Sequence, residues 1–162
     1  MVAIGYAKGV PMGGDLMNAP QGKAPTFMLL AAKDPDGANL DRIQVIKGWL
    51  DSKGKVHEKI YDVAVSDDRE IVGGKTTQKV GSTVDLATAT YTNSIGDAQF
   101  FAWWVDPDFD PAIKSFYYAR VIEIPTPRWT AFDEVRFGIK MDPEVTRVLQ
   151  ERAYTSPIWY TP

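Results

Sequence analysis

An antiparallel, immunoglobulin-like β-sandwich, all-β apart from a late helical excursion, is the fold class this sequence predicts. Three observations carry it. β-Branched and aromatic residues fall in short runs of strand length. Thirteen glycines and eleven prolines punctuate the spaces between those runs. No strand–helix alternation of the kind that builds a parallel sheet is present. At 162 residues, 44% hydrophobic and 24% charged, the chain can bury about 70% of its unfolded surface and sustain one core without staples.

Residues 1–24 are rich in Gly, Pro, Ala and Met. Neither helical nor strand periodicity survives from Gly9 to Asp15, so the segment reads as a linker ahead of a domain spanning 25–162. Thr26 to Ala32 is a short apolar strand ended by Lys33-Asp-Pro-Asp-Gly37, where proline presets φ and glycine accepts a positive φ. Asp41 to Leu50 and Val56 to Val65 alternate in character around the turn Asp51 to Lys55 and form the best hairpin candidate. Ser66 to Gly81 is polar and aperiodic, a long loop. Thr83 to Thr92, Ala98 to Val105 and Ser115 to Ile124 are β-prone runs and are expected as strands. The stretch 125–154 is an irregular excursion in which Asp142 and Pro143 supply an N-cap and first-turn proline for a helix reaching about Ala153. Ser156 to Tyr160 closes the chain as a short strand. Period-two patterning places Ile43, Val45, Ile60, Leu86, Val121 and Ile158 in the core.

Composition removes much chemistry. A formal charge of -3 offers no general attraction to nucleic acid or an anionic membrane. The absence of cysteine excludes disulfides, thiolate nucleophiles and Cys-type metal sites, and a single histidine excludes most imidazole sites. No window has the length of a membrane span, and no export signal is read at the N-terminus.

Asp106, Asp108 and Asp110 resemble the alternating acids that open a calcium loop, but Pro111 and Tyr117 stand where glycine and glutamate are needed. They are weak metal candidates against a proline-braced turn whose acids cap amides; Asp34, Asp36 and Asp41 are no stronger. His57 lacks a nucleophile-elbow serine and is expected in a structural or surface role. Gly73 to Thr76 has the end of a phosphate loop without its earlier glycine, since position 69 is Arg69. Phe100, Phe101, Trp103 and Trp104 could form a sugar-stacking platform, although core on one face and a covered interface on the other is the commoner outcome. Tyr117, Tyr118 and Trp129 share that ambiguity. Arg128, between Pro127 and Trp129, is stiffly held and suited to a carboxylate or phosphate, or to a structural ion pair.

Longer runs carry a resemblance. Lys47-Gly-Trp-Leu-Asp51, Glu58-Lys-Ile-Tyr-Asp-Val-Ala64, Asp106-Pro-Asp-Phe-Asp-Pro111, Tyr117 to Trp129 (YYARVIEIPTPRW) and Gln150 to Pro162 (QERAYTSPIWYTP) look like the C-terminal part of a bacterial uncharacterised family of unknown function. Full-length members of that family resemble PHP-type metal-dependent phosphoesterases. The similarity covers nearly the whole chain, but the Gly-Asp-Leu-His-x-His metal motif of such enzymes is missing from it. The resemblance therefore implies a fragment whose metal ligands lie upstream, with residues 1–24 the tail of, or link to, that catalytic region. It further implies an exported parent, periplasmic or at the cell surface, with a divalent metal in the parent and none in the fragment.

Two function classes follow. In one, this is a non-catalytic accessory sandwich packing on an upstream metallohydrolase of the same chain, with Asp15, Arg128 and Trp129 as interface or site-rim candidates. Self-association through surface bared by truncation is then expected as well. In the other, it is an autonomous carbohydrate-binding module using exposed aromatics. An exposed, coplanar aromatic pair would favour the second, and a large aromatic and arginine-bearing surface left bare by truncation the first.

Overall fold

The structure, a computed structural model, describes residues 2–162 and is mainly β. Its chain order is α1 (Val2–Lys8), β1 (Asp15–Met17), β2 (Thr26–Ala32), β3 (Leu40–Leu50), β4 (Val56–Val65), β5 (Gln99–Val105), β6 (Ser115–Glu123), β7 (Thr126–Pro127), α2 (Trp129–Phe137), β8 (Val148–Leu149), β9 (Arg152–Tyr154) and β10 (Ile158–Thr161). Six strands form the large sheet, in the order β1-β10-β6-β3-β4 with β9 also on β6. All its pairs are antiparallel except β1 with β10. β2 and β5 make an antiparallel ribbon, and β7 and β8 a short antiparallel pair that closes the excursion carrying α2.

Register explains the layering. On the ribbon, Phe27 faces Trp104, Leu29 faces Ala102 and Ala31 faces Phe100. These inward residues pack on the inner face of the large sheet, with Leu40, Ile43, Phe100 and Ala119 in one cluster and Val45, Tyr117 and Tyr160 in another. The alternate ribbon residues point away. β9 and β10 lie end to end along β6, interrupted at Ser156 and Pro157. At the break the Thr155 N–H donates to the Ala119 carbonyl (3.0 Å), and the Ala119 N–H donates to Thr155 Oγ1 (2.9 Å), so the ladder stays satisfied.

The structure corrects four expectations. The helix lies at Trp129–Phe137, not from Asp142 to Ala153. Asp142 caps only a turn, through the Glu144 N–H, because the segment beyond it pairs as β8 and β9. Thr83 to Thr92 is no strand. It folds into a turn closed by Asp85 and Thr90, with Asp85 Oδ1 accepting the Ala87 N–H, since no neighbouring strand offers it a ladder. Leu86 leaves the expected core and is 37% exposed on that turn. Ile43 and Val45 are buried, whereas Ile60, Val121 and Ile158 are only partly so. Finally, the lead-in contains structure: α1, and β1 paired with β10 at the sheet edge.

Candidate functional site

The acidic run after β5 is a clamp, built from both its own turn and the sheet beneath it. Lys47, projecting from β3 and almost fully buried, donates to Asp106 Oδ2 at 2.5 Å and to the Asp108 carbonyl at 2.7 Å. Tyr117 on β6 donates to the same Asp106 oxygen at 2.7 Å. Asp108 accepts from Lys59 and from the Tyr61 hydroxyl, both at 2.5 Å, and these bonds hold its carboxyl below the usual range. Burial, with Asp106 nearby, pushes the Tyr117 phenol upward, and burial with the Asp108 bond does the same for Tyr61. Asp110 caps the Ala112 N–H. The three acids therefore face separate partners, and no three His, Cys, Asp or Glu side chains converge among the described residues. They do not fit a cation, because lysine ammonium groups already stand where one would sit.

A second buried acid, weighed in sequence only as a weak metal candidate, is committed to arginines. Asp41 is fully buried and held by Arg69 at 2.5 Å, by Arg42 and by Gln150 Nε2 at 2.9 Å. These partners lie 28, 1 and 109 residues away, so only the Asp41–Arg42 contact was local. His57 stacks on Trp49 and shares a 2.9 Å hydrogen bond with Asp51, a contact that lowers the Asp51 pKa. Asp51 also accepts the Lys53 and Lys55 N–H groups, which makes the trio a brace for the β3–β4 turn. Gly73 to Thr76 lines the β4 edge, where Asp62 donates its N–H to the Gly74 carbonyl and accepts the Thr76 N–H.

Arg128 precedes α2 in extended conformation, φ -81° and ψ 162°, and its guanidinium lies over the Trp129 ring at 5.9 Å. The helix itself is inverted. Its small or polar side is inside: Thr130 and Ala131 are buried, Thr130 Oγ1 donates to the Thr146 carbonyl, and Glu134 accepts the Met141 N–H. Its apolar side faces out, with Trp129 at 61%, Phe132 at 50% and Phe137 at 64% exposure. Gly138, at φ 59°, ends the helix in the left-handed conformation that glycine tolerates. Asp15 sits elsewhere, exposed on the β1 edge opposite Trp159.

Of the aromatic run on β5, Phe100 is buried and Trp104 packs inward, as core. Phe101 and Trp103 face out, at 49% and 56% exposure, but meet edge to face at 87° and so offer no flat platform. The outer face of the large sheet is different. Arg42, Ile122 and Arg152 lie in one cross-strand row, Gln44, Arg120 and Tyr154 in the next, then Ile46 with Tyr118, and Gly48 with Phe116 and Trp159. Phe116 and Tyr118 are within 10° of parallel, with centroids 6.4 Å apart.

An apolar hollow of about 720 Å³ separates the N-terminal segment from the uncovered part of the inner sheet face, between α1, Met28 and Ile158. No helix of the described residues is long and apolar enough to cross a membrane.

The fold and these surfaces define a β-rich domain of stacked sheets, with its aromatic and cationic groups displayed on the outside rather than gathered in a cleft. The chain belongs to the DUF3604 family, described as a protein of unknown function, whose family model matches residues 1–162. No curated protein and no solved structure matches it. Nothing in these matches ties the chain to PHP-type phosphoesterases.

Proposed function

We propose that this domain is a non-catalytic accessory module of a larger hydrolase, an immunoglobulin-like sandwich that docks on an upstream region of the same polypeptide. The single observation behind this reading is the inverted helix α2. A nine-residue helix that buries threonine and alanine while exposing Trp129, Phe132, Val135 and Phe137 is the reverse of an ordinary surface helix. Aromatic groups beside an arginine are the side chains that dominate protein contacts, and Arg128 with Trp129 supplies that pair. The two packed layers support the sandwich reading, and the resemblance of the long runs supplies the rest: a PHP-like metal-dependent phosphoesterase as parent, exported to the periplasm or cell surface. Its divalent metal would be held by the upstream region, because Asp106 and Asp108 are committed to lysines.

The test uses the longer polypeptide, assayed on a panel of phosphoesters with added divalent metal. Changing Arg128 to Lys together with Trp129 to Ala should lower turnover about tenfold or more, the scale of losing a bidentate, stacked guanidinium. Thermal unfolding of the 162-residue chain carrying the same changes should match the parent sequence. Unchanged turnover rejects the docking role, and a polypeptide without phosphoesterase activity rejects the hydrolase.

A further inference from the structure

The outer face of the large sheet carries a feature that docking through α2 leaves unused. Along it the chemistry is graded. One end is cationic, with Arg120 and Arg152 on paired strands β6 and β9; the other is aromatic, running from Tyr118 through Phe116 to Trp159.

The two arginines lack acidic partners among the described residues. Arg42 is already neutralised by Asp41 and lies 3.7 Å from Asp62, but Arg120 makes its hydrogen bonds only to a neutral oxygen, Gln44 Oε1, at 2.9 Å from Nε. Gln44 is in turn oriented by donating to Asp62 Oδ1 at 2.7 Å, so the Arg120 fork is held in place through two of its N–H groups while the others stay available. Arg152 is exposed beside it and forms no ion pair within the described chain. Bonding to Arg152 first, and the proximity of Arg120 after it, hold the Tyr154 phenol below its ordinary value, as expected of a ring set beside two guanidinium groups.

The aromatic end is laid down across the sheet. A Cβ on Gly48 would stand 2.3 Å from Phe116 Cζ, so the missing side chain is what lets that ring lean over β3. Ile46, next along β3 on the same face, is only 1% exposed, and Tyr118 is its cross-strand partner. Phe116 and Tyr118 then share one orientation, and Trp159 flanks the row 5.2 Å from Phe116 with its ring tilted by 47°, so the pair Phe116 and Tyr118 is the flat part.

We infer that this face binds an acidic oligosaccharide, with pyranose rings against Phe116, Tyr118 and Trp159 and a carboxylate or sulfate on Arg120 and Arg152. A row of half-buried rings that ends in the exposed Trp159 suits sugar rings laid side by side, and charge complementarity selects an anion.

The probe is trigalacturonic acid, compared by calorimetry with its neutral methyl ester and with glutarate, an anion without a ring, all on the 162-residue chain. The acid should bind, and the ester and glutarate should each bind about tenfold weaker or worse, as loss of a charge-assisted pair or of the stacking surface requires. Arg152→Gln, at an exposed position, and Trp159→Ala should each weaken the acid by a similar factor while thermal unfolding stays unchanged. A sulfated trisaccharide in place of the acid distinguishes the two anions. Absence of binding, equal affinity for acid and ester, or binding that survives Arg152→Gln overturns the inference. Tight binding of glutarate would reduce the site to a plain anion patch and overturns it too.

Discussion

Lys47 Nζ lies 2.5 Å from Asp106 Oδ2, and both side chains are almost wholly out of solvent. Burial decides what this pair is worth. Desolvating two charges cancels much of their attraction, so the intact pair adds little net stability, whereas one charge left alone in the core is costly.

Asp106→Ala should therefore destabilise the chain by about 3–5 kcal/mol, while the joint change of Lys47 to Met and Asp106 to Leu should cost much less. Urea denaturation of the three proteins measures the difference. A mild Asp106→Ala would mean that water reaches Lys47.

The Lys59–Asp108 pair, half exposed, behaves differently. The Asp108 pKa is depressed, by the Lys59 bond first and the Tyr61 bond second. A depressed carboxylate stabilises the fold above its unfolded value, about 3.9, and that contribution fades as pH falls through the folded value. Solvent screening limits it to about 0.2–1 kcal/mol. Asp108→Asn should lower stability slightly at pH 7 and not at all near pH 2, as read by denaturation at both; an equal loss at both would show that the Asp108 charge plays no part in the effect.

Gly48→Ala places a methyl group inside the Phe116 ring position. Overpacking of this kind costs about 1–3 kcal/mol, and the cost should largely vanish in a Phe116→Ala background, since the two positions are in contact. A full penalty in both backgrounds would place the strain in the backbone instead.

The hairpin was legible because its signals are local. Alternation in Asp41 to Leu50 and Val56 to Val65, around Asp51 to Lys55, is the register that pairs Trp49 with His57 and Val45 with Tyr61. Ser115 to Ile124 succeeded for the same reason. The Thr83 to Thr92 run failed because β-propensity needs a neighbouring strand, and this run buries only Ala89 and closes on itself through Asp85 and Thr90. α2 was missed because the expected signature was an apolar inner stripe, and this helix buries Thr130 and Ala131. Gly138, placed as a helix terminator, was the signal that could have found it. The guanidinium of Arg128 lies over the ring of the next residue, Trp129, a contact that is local in sequence. The Arg69–Asp41 and Arg120–Gln44 contacts span 28 and 76 residues and leave no trace in local pattern.

Phe132→Ser in the 162-residue chain should change stability by no more than about 0.5 kcal/mol, because the ring faces solvent. A loss of several kcal/mol in thermal unfolding would show that Phe132 belongs to a core, and α2 would cease to be a free surface.

Hydrogen exchange over Trp129–Phe137 tests the docking reading most directly, comparing the 162-residue chain with the longer polypeptide. Helix amides gain protection when a partner covers the helix and suppresses its local opening. The account predicts markedly slower exchange of α2 in the longer polypeptide, reversed when Trp129 and Phe132 are both changed to Ser. Equal exchange rates in the two proteins would contradict it.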